Sequence, residues 1–439
     1  MKPTDLNASR KTKKTPIGDI PVDWAVVKVG DLASVKQGCT FSRNHQGKRS
    51  GKWLWAKVGD LDKAGSEIWL RTADNYVTDD IREMVGARPF RAGTTVFPRV
   101  GAALKTNKKR ILAQDSIVDD NVLAVTVEQR DLCDDLYLFY WFASISLERT
   151  FSNNGLVPSI RGQTVLSTRL PLPPVPEQRK IAEILSTWDH AIFQTEQLIQ
   201  AKQQLKTGLM QRLLTGKLRF PQFRGKNAGT RRTRFGMFPR DWTYCRIGDV
   251  ATESKARHDG QAELPVLSCT KHQGLVDSMQ YFGKRVFSAD TAGYKVVRRQ
   301  QFAYATNHIE EGSIGLLEDV EAGLVSPMYT VFEANARKVL PSLLFRLLKT
   351  ELYRHIFEAS TNASVNRRGS LRWSQFRMIH LCLPDIAEQA GIDACAAAAD
   401  AELRGLQEQL AAFQQQKRGL MQKLLTGQVR ARGAKEVEA

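Results

Sequence analysis

The sequence predicts an α+β protein: two mixed α/β blocks separated by two long helices that pair as an antiparallel coiled coil, with a pseudo-twofold internal repeat. Three observations predict this fold. Two helical segments repeat at one constant spacing, a second repeat precedes each of them, and the blocks in between differ. One such helix cannot bury an apolar seam alone, so the other copy is its most economical partner. The alternative is that each helix packs on its own block.

The helical repeat is the clearest one. The first copy contains Leu172, Glu177 and Gln178 and ends with GLMQRLLTGKLR at 208–219. The second contains Leu383, Glu388 and Gln389 and ends with GLMQKLLTGQVR at 419–430. Every matched pair is 211 positions apart without a gap, so the two segments indicate a duplication.

The second repeat lies upstream of each helix. GDIPVDW at 18–24 recurs as GMFPRDW at 236–242, an offset of 218, and 218 − 211 = 7, so the second block is seven residues shorter. Divergent blocks between constant frames are typical of two binding heads with different targets. The alternative is that the blocks diverged without functional meaning.

The helices follow from composition and periodicity. Residues 177–214 lack proline and are rich in helix formers, and four prolines precede them. A seam with alternating steps of four and three predicts a coiled coil about 57 Å long. The predicted seam residues are Ile181, Leu185, Trp188, Ile192, Ile199, Leu209 and Leu213 in the first copy, and Ile392, Leu403, Leu406, Leu410, Phe413, Leu420 and Leu424 in the second.

Glycines and acidic residues mark the helix ends and interiors. Gly216 and Gly427 follow the last leucines, where a left-handed residue is expected. The segment 385–388 resembles a capping box at the start of the second helix. Gly208 and Gly419 lie inside the helices at a cost of about 1 kcal/mol each. They predict a close approach by the partner helix or by another subunit.

Both blocks show short strand-like runs followed by a helical stretch. We predict strands at 25–27, 94–97 and 121–127 in the first block and at 264–268, 294–297, 301–304 and 325–332 in the second. We predict helical stretches at 134–151 and 341–358. The predicted domains are a basic N-terminal arm (1–16), a first block (17–171), a first helical region (172–218), a linker (219–234), a second block (235–382), a second helical region (383–428) and a C-terminal tail (429–439).

The charge balance points to a polyanionic partner. Lys and Arg number 64 and Asp and Glu 46, which gives 64 − 46 = +18. No apolar run approaches the roughly 18 residues of a membrane span, and the polar N-terminus does not resemble a secretory signal. Six scattered cysteines suggest neither a zinc site nor a disulfide framework. We therefore expect a cytoplasmic protein without a membrane partner.

Basic and amide side chains cluster in the predicted loops of both blocks. Arginine pairs with guanine and asparagine or glutamine with adenine, whereas lysine more often contacts phosphate. These clusters predict DNA contacts, although a solvated loop is the alternative for each residue alone. The candidates are Arg43, Asn44, His45, Gln46, Lys48, Arg49, Trp53, Lys105, Lys108, Lys109 and Arg110 in the first block, and Lys255, Arg257, His258, Lys271, His272, Gln273, Arg298, Arg299, Asn307, His308, Asn366, Arg367 and Arg368 in the second.

Catalytic motifs are absent from the sequence. It contains no phosphate-binding loop, no dinucleotide-binding turn, no nucleophile elbow and no H-x-x-x-H metal spacing. Asp249, Glu253 and Lys255 faintly resemble a metal-dependent nuclease triad, but this pattern is short and common. We therefore expect no catalytic residue, no metal site and no cofactor in this chain. A scaffold built on the coiled coil and a stand-alone nuclease are the alternative functions.

The repeated motifs resemble the specificity subunit of type I restriction–modification systems. The most specific parts are the Leu-Pro-x-x-x-x-Glu-Gln helix starts at Leu172 and Leu383, the Gly-Leu-Met-Gln helix ends, and the Pro-x-x-Trp segment that opens each block. The stretch 312–329 also resembles a signature of the family's target recognition domains. The first block has only a degraded counterpart near 99–101.

This resemblance implies a function without catalysis. Each block would be a target recognition domain that reads one half of a bipartite site in double-stranded DNA, and the helices would set the spacer between the halves. Two modification subunits would dock on the helices and methylate adenine with S-adenosylmethionine. Restriction subunits would add ATP-dependent translocation and Mg²⁺-dependent cleavage.

Overall fold

The computed structural model describes residues 11–40, 42–63, 67–153, 157–224, 229–261, 263–271, 273–362 and 370–431. The chain forms two compact units. Unit 1 comprises Met1–Ile199 and Leu406–Ala439, and unit 2 comprises Gln200–Gly405. Each unit therefore contains one α/β block, the start of one long helix and the end of the other.

Unit 1 consists of short strands joined by short helices. Its strands are Thr12–Thr15, Gly18–Pro21, Ala25–Lys28, Ala33–Gln37, Trp53–Ala56, Trp69–Leu70, Tyr76–Val77, Thr95–Pro98, Arg110–Leu112, Ser116–Val118, Val122–Val127 and Arg169–Leu172. Its short helices are Val29–Leu32, Val58–Lys63, Asp79–Met84, Ala103–Thr106, Asp135–Ser144, Leu147–Phe151 and Gly162–Ser167, with a 3₁₀ turn at Arg43–His45.

A five-stranded sheet forms the centre of unit 1. Its strand order is Ala33–Gln37, Val122–Val127, Thr95–Pro98, Arg110–Leu112 and Trp69–Leu70, and only the last pair is parallel. The helix Asp135–Ser144 contributes Tyr137, Tyr140 and Phe142 to the core. Leu424 and Leu425 at the end of the second long helix belong to the same core. The block and the helices thus share one hydrophobic core.

Unit 2 has a related layout with fewer strands in its main sheet. Its strands are Thr230–Thr233, Gly236–Pro239, Thr243–Arg246, Ala251–Ser254, Leu267–Thr270, Gly274–Asp277, Lys295–Arg298, Gln301–Ala305, Ile314–Leu316, Ala322–Val325, Tyr329–Ala334 and His380–Leu383. Its short helices are Ile247–Val250, Ser278–Phe282, Pro341–Leu348, Glu351–Asn362 and Trp373–Phe376, with 3₁₀ turns at Pro221–Phe223 and Ile309–Glu311.

The main sheet of unit 2 is antiparallel. Its strand order is Ala251–Ser254, Tyr329–Ala334, Gln301–Ala305 and Ile314–Leu316. Phe302 and Phe332 stack at the centre with ring centroids 4.6 Å apart. Leu213 and Leu214, at the end of the first long helix, lie in this core.

The two long helices confirm the periodicity prediction. They span Val175–Leu213 and Ile386–Leu425. All fourteen predicted seam residues are buried or half-buried, and none is exposed. The segments run antiparallel within each unit: Trp188 packs against Phe413 in unit 1, and Lys202 binds Glu402 at 2.6 Å in unit 2. The α+β class, the paired helices and the internal repeat are therefore confirmed.

Most predicted strands are present, and three predicted stretches are divided. The run 325–332 was wrong as one strand, because Ser326 and Pro327 separate Ala322–Val325 from Tyr329–Ala334. The stretch 134–151 contains two helices, because Ile145 adopts an extended conformation after Asp135–Ser144. The stretch 341–358 is likewise split, at Lys349. The predicted strand at 264–268 begins only at Leu267.

The helix ends follow the predicted chemistry in part. Gly216 and Gly427 adopt φ of +68° and +71°. Asp385 accepts the backbone N–H of Glu388 at 2.7 Å, but the Glu388 carboxylate binds other groups, so only half of the capping box forms. An added Cβ at Gly208 or Gly419 would meet no described atom within 4 Å. The partner helix therefore does not approach these glycines, contrary to one of the two expectations.

No helix in the described ranges is long and apolar enough to cross a membrane.

Candidate functional site

A buried ion-pair network joins the block of unit 1 to both long helices. Glu177, at the start of the first helix, accepts the indole N–H of Trp24 at 3.0 Å and two N–H groups of Arg430 at 2.8 and 2.7 Å. Arg430 follows the end of the second helix and also donates to Asp23 at 2.9 and 2.6 Å. We call the four residues Asp23, Trp24, Glu177 and Arg430 the unit 1 clasp. The hydrogen bonds that Arg430 donates to the Glu177 carboxylate raise the pKa of Arg430 above its ordinary value.

The same clasp recurs in unit 2. Glu388 accepts the indole N–H of Trp242 at 3.2 Å and two N–H groups of Arg219 at 2.8 and 2.7 Å, and Arg219 also donates to Asp241 at 3.0 Å. These four residues form the unit 2 clasp. The partners follow the two sequence offsets, since 177 + 211 = 388 and 219 + 211 = 430, while 24 + 218 = 242. The duplication therefore preserved a complete interaction network.

Glycine at each helix end is required by the block that packs there. A Cβ at Gly216 would lie 2.5 Å from Pro239, and one at Gly427 would lie 2.4 Å from Pro21. Both distances are shorter than a carbon–carbon contact permits. The left-handed glycine thus ends the helix and admits the proline of the repeated Pro-x-x-Trp segment.

The glutamine after each clasp glutamate holds the start of one helix of the block. Gln178 accepts the N–H of Asp134 at 2.8 Å and donates to the carbonyls of Leu132 and Pro173. Gln389 accepts the N–H of Leu340 at 2.9 Å and donates to the carbonyls of Lys338 and Pro384. The Glu-Gln pair of the repeat therefore has one structural role in both copies.

An aspartate lies at equivalent positions of the two long helices, and its binding partners differ between the two units. In unit 1, Asp189 is buried and accepts the hydroxyl of Tyr140 at 2.8 Å and the ammonium of Lys417. The equivalent Asp400 of unit 2 binds Lys206 and, at 2.9 Å, the guanidinium of Arg346. Partial burial alone would raise the pKa of Asp400, but hydrogen bonds from Lys206 and Arg346 outweigh it and lower the pKa.

The predicted contact residues of unit 2 gather mainly at one edge of its sheet. We define the loop edge as the end of the main sheet opposite the long helices; in unit 2 it contains Ser254, Ala305 and Tyr329. Lys255 and Arg257 follow the first of these residues, and Asn307 and His308 follow the second. Lys271 and Gln273 reach the same edge, because Lys349 donates to the carbonyls of both Lys271 and Gly312.

The loop edge of unit 1 also carries two predicted basic segments. It contains Gln37, Pro98 and Val122. The segment 43–49 reaches it because Lys57 donates to Gln46 at 2.9 Å. A cavity of about 560 Å³ lies beside the start of the helix Ala103–Thr106, which carries Lys105. Lys57, Asp60, Lys63, Asp74, Asn75, Asp119 and Asn121 are among the residues that line it.

Several predicted contact residues are exposed at these edges. In unit 1 they are Arg43, Asn44, Lys48, Arg49 and Lys105, with His45, Gln46 and Lys108 half-buried. In unit 2 they are Lys255, Arg257, Lys271, Gln273 and His308, with Asn307 half-buried. These assignments remain predictions. His272, Asn366, Arg367 and Arg368 lie outside the described residues.

Burial corrects the prediction for three residues. Lys109, Arg110 and His258 are 5%, 6% and 7% exposed. The ammonium of Lys109 donates to Asn107 and to the carbonyl of Ile145, and burial lowers its pKa to about 7. Arg110 begins a central strand, which places it inside the block. The basic run 105–110 was predicted to lie in a loop, but its last two residues are buried where the strand begins.

Three further candidates occupy positions that the sequence did not indicate. The indole N–H of Trp53 donates to Asp79 at 2.7 Å, and Lys52 and Arg82 approach its ring, which holds it against the block. Arg298 and Arg299 lie at the helix end of the sheet of unit 2, since Gln301 pairs with Glu333 there. Arg299 binds Glu321 at 2.8 Å. Arg298 and Arg299 therefore lie at the end of the sheet opposite the loop edge.

The nuclease-like pattern is not assembled as a metal site. Asp249 accepts the backbone N–H of Arg246 at 2.7 Å, which caps a short helix. In the described ranges, the one group of carboxylate and imidazole atoms close enough for a cation is His308, Glu310 and Glu311, at the loop edge of unit 2. The proximity of these side chains does not by itself indicate a metal.

The clasps could not be recognised from the sequence, although their residues lie in its repeats. Trp24, Glu177 and Arg430 all lie in the repeated motifs, and each has its counterpart in the second copy. Opposite charges kept at fixed offsets were the available signal. Which charges meet could not be read from the offsets, because residues 23 and 430 are joined only in the folded chain.

Comparisons with known proteins agree with this architecture. Residues 21–206 match the family model of the type I restriction modification DNA specificity domain. Among curated proteins of Methanocaldococcus jannaschii, the chain is 25% identical to the putative type I restriction enzyme MjaX specificity subunit (54% of this chain, 55% of the relative). It is 24% identical to the MjaIX specificity subunit (57% of each) and 23% identical to the MjaVIII subunit (76% of each). The alignments span little more than half the length of the first two relatives.

Two solved structures share the fold. The type I restriction–modification S subunit from M. genitalium superposes with a TM-score of 0.56 at 12% identity, over 96% of this chain and 98% of that chain. A chain from a structure of type I R-M complex assembly and conformational transition gives 0.54 at 16% identity, over 93% and 99%. Residues 21–206 therefore carry a type I restriction modification DNA specificity domain, and the chain is similar in sequence and in fold to type I restriction–modification specificity subunits.

Proposed function

We propose that this chain is the non-catalytic DNA sequence-specificity subunit of a cytoplasmic type I restriction–modification complex. Each block is a target recognition domain whose loop edge reads one half of a bipartite site in double-stranded DNA. The paired helices set the spacing between the halves.

The observation that carries this proposal is the contrast between shared and divergent parts of the two units. The clasps have the same residue types and the same contacts. The loop edges have different lengths, sequences and basic residues. Identical frames with different loops suit two readers of different sequences, and a net charge of +18 suits a DNA partner.

The proposal places the chemistry in partner subunits. Two modification subunits would bind S-adenosylmethionine and methylate adenine, and restriction subunits would use ATP and Mg²⁺. This chain would contribute no catalytic residue and no cofactor site.

The helix glycines support a docking role for the long helices. Gly208 and Gly419 are exposed, and no described atom lies within 4 Å of a Cβ added to them. A glycine retained in both copies at a cost of about 1 kcal/mol lets a partner backbone approach closely. We therefore assign these two helix surfaces to the two modification subunits.

The docking assignment has a matched control. Gly208→Gln with Gly419→Gln should abolish co-purification of the modification subunit, because each added side chain blocks the approach. Gly405→Gln, at a helix glycine with equally open surroundings, should leave co-purification intact. Equal loss in both variants, or in neither, would contradict the assignment.

Mapping methylated adenines in the host genome, with and without this gene, tests the function itself. We expect one bipartite motif with a fixed spacer to lose methylation when the gene is deleted. Unchanged methylation would contradict a role in specificity. Cleavage of DNA by the purified chain with Mg²⁺ alone would instead support a nuclease.

A further inference from the structure

A basic β-hairpin precedes the clasp in each unit. In unit 1 it pairs Thr12–Thr15 with Gly18–Pro21, and in unit 2 it pairs Thr230–Thr233 with Gly236–Pro239. The first strands read TKKT and TRRT and are 218 positions apart, the offset of the Pro-x-x-Trp repeat. The duplicated frame therefore includes a basic strand as well as the clasp.

The net charge of both hairpins is positive. Residues 11–21 contain Lys11, Lys13 and Lys14 and one acidic residue, Asp19, which is the cross-strand partner of Lys14. Residues 229–239 contain Arg231, Arg232 and Arg234 and no acidic residue. The net charge is therefore +2 in unit 1 (3 − 1) and +3 in unit 2.

Part of this charge has a structural role and the rest faces solvent. Lys13 donates to the carbonyl of Val22 at 3.0 Å, and the equivalent Arg231 donates to the carbonyl of Trp242. Lys11, Lys14, Arg232 and Arg234 are exposed. One cation of each hairpin therefore anchors it beside the clasp, while two remain available to a ligand.

The position of the hairpins restricts what they can recognise. Each ends in the proline that packs on the glycine at the end of a long helix, Pro21 on Gly427 and Pro239 on Gly216. Each therefore belongs to the constant frame and is not part of the divergent loops. A surface that is the same in both units suits a ligand feature that is the same at both half-sites.

We propose that the two hairpins bind the DNA phosphate backbone beside each half-site, without reading bases. Phosphate is the chemical feature common to every sequence, and exposed lysine and arginine side chains are its usual partners. This inference rests on the proposed function, because it requires that the chain bind DNA. It adds a contact surface that lies outside the loop edges.

Charge removal in the full-length chain tests the proposal. The variant Lys11→Gln/Lys14→Gln/Arg232→Gln/Arg234→Gln changes exposed side chains only, so the fold should be retained, as melting temperature can verify. Each lost phosphate contact lowers the slope of log Kd against log salt by about 0.9. We expect the slope to fall by about 2 to 4 for DNA with or without the methylated motif. The affinity ratio between the two DNAs should not change.

The control removes the same charge elsewhere. Arg212→Gln/Arg404→Gln/Arg418→Gln/Lys423→Gln neutralises four exposed cations on the long helices. Its salt slope should match that of the unaltered chain. Each hairpin pair alone, Lys11→Gln/Lys14→Gln or Arg232→Gln/Arg234→Gln, should give about half of the full effect.

Three results would overturn the inference, and they point to different causes. Equal slopes for hairpin and control variants would show that the hairpins do not contact phosphate. Loss of a partner subunit with unchanged DNA binding would assign the hairpins to an acidic protein surface. If the unaltered chain and its complex bind no DNA, the proposed function fails first and this inference with it.

Discussion

The clasps of the two units are alike, whereas their loop edges differ. At the clasps, Trp, Glu, Arg and Asp occur twice with the same contacts, all within 3.2 Å. At the loop edges, residues 43–49 of unit 1 and 255–257 of unit 2 differ in sequence, and only the former contain a 3₁₀ turn, at Arg43–His45. The helix junction is therefore the part that the two units share, and it contains the buried carboxylates of Glu177 and Glu388, whereas the loops differ.

Removing a clasp carboxylate should have the largest effect. Glu177→Ala leaves Arg430 and the indole of Trp24 without their shared acceptor, and Glu177 is only 4% exposed. Breaking a buried pair on one side costs about 3–5 kcal/mol in the free energy of unfolding. Glu388→Ala should cost a similar amount, as denaturant unfolding would measure.

An exposed helix glutamate provides the control for this prediction. Glu408→Ala should change the free energy of unfolding by less than about 0.5 kcal/mol. A clasp variant with the same free energy of unfolding as this control would show that the clasp does not stabilise the fold.

The next effect concerns a buried cation of unit 1. The folded-state pKa of Lys109 is about 7, below an unfolded value of about 10.4. The unfolded chain therefore binds more protons between these values, and stability should rise with pH from about 7 to about 10.4. The rise due to Lys109 should not exceed about 5 kcal/mol. Unfolding measured across this range should show a smaller rise for Lys109→Met, and equal curves would contradict the assignment.

The interactions of Asp189 and Asp400 should respond differently to salt, because Asp189 is buried and Asp400 is half-buried. Tyr140→Phe removes a buried hydroxyl donor from Asp189, and Arg346→Met removes an ion pair from the half-buried Asp400. Each should cost about 1–2 kcal/mol. Only the Arg346 effect should shrink in 1 M salt, because its pair is partly open to solvent and is screened. Equal salt dependence would contradict the difference in burial.

The sequence was informative where the physics is local or periodic. The helix limits, the seam and the left-handed Gly216 and Gly427 follow from spacing and backbone chemistry, and the structure confirms them. The order of the sheet strands could not be predicted, because short strands such as Val122–Val127 pair with strands distant in the chain, here Ala33–Gln37. Lys109 and Arg110 were misplaced for the same reason: their burial depends on neighbours distant in the chain.

Substitutions at the two loop edges test most directly whether each block reads its own half of the DNA site. Alanine replaces Lys271, Gln273 and Asn307 in one variant and Arg43, Asn44 and Arg49 in another, and methylated adenines are mapped in cells carrying each. These loop residues carry little of the fold's stability, so each variant should remain folded. We expect each variant to relax or alter one half of the bipartite motif, a different half in each case, with the spacer unchanged. A change in both halves from one variant, or no change from either, would contradict it.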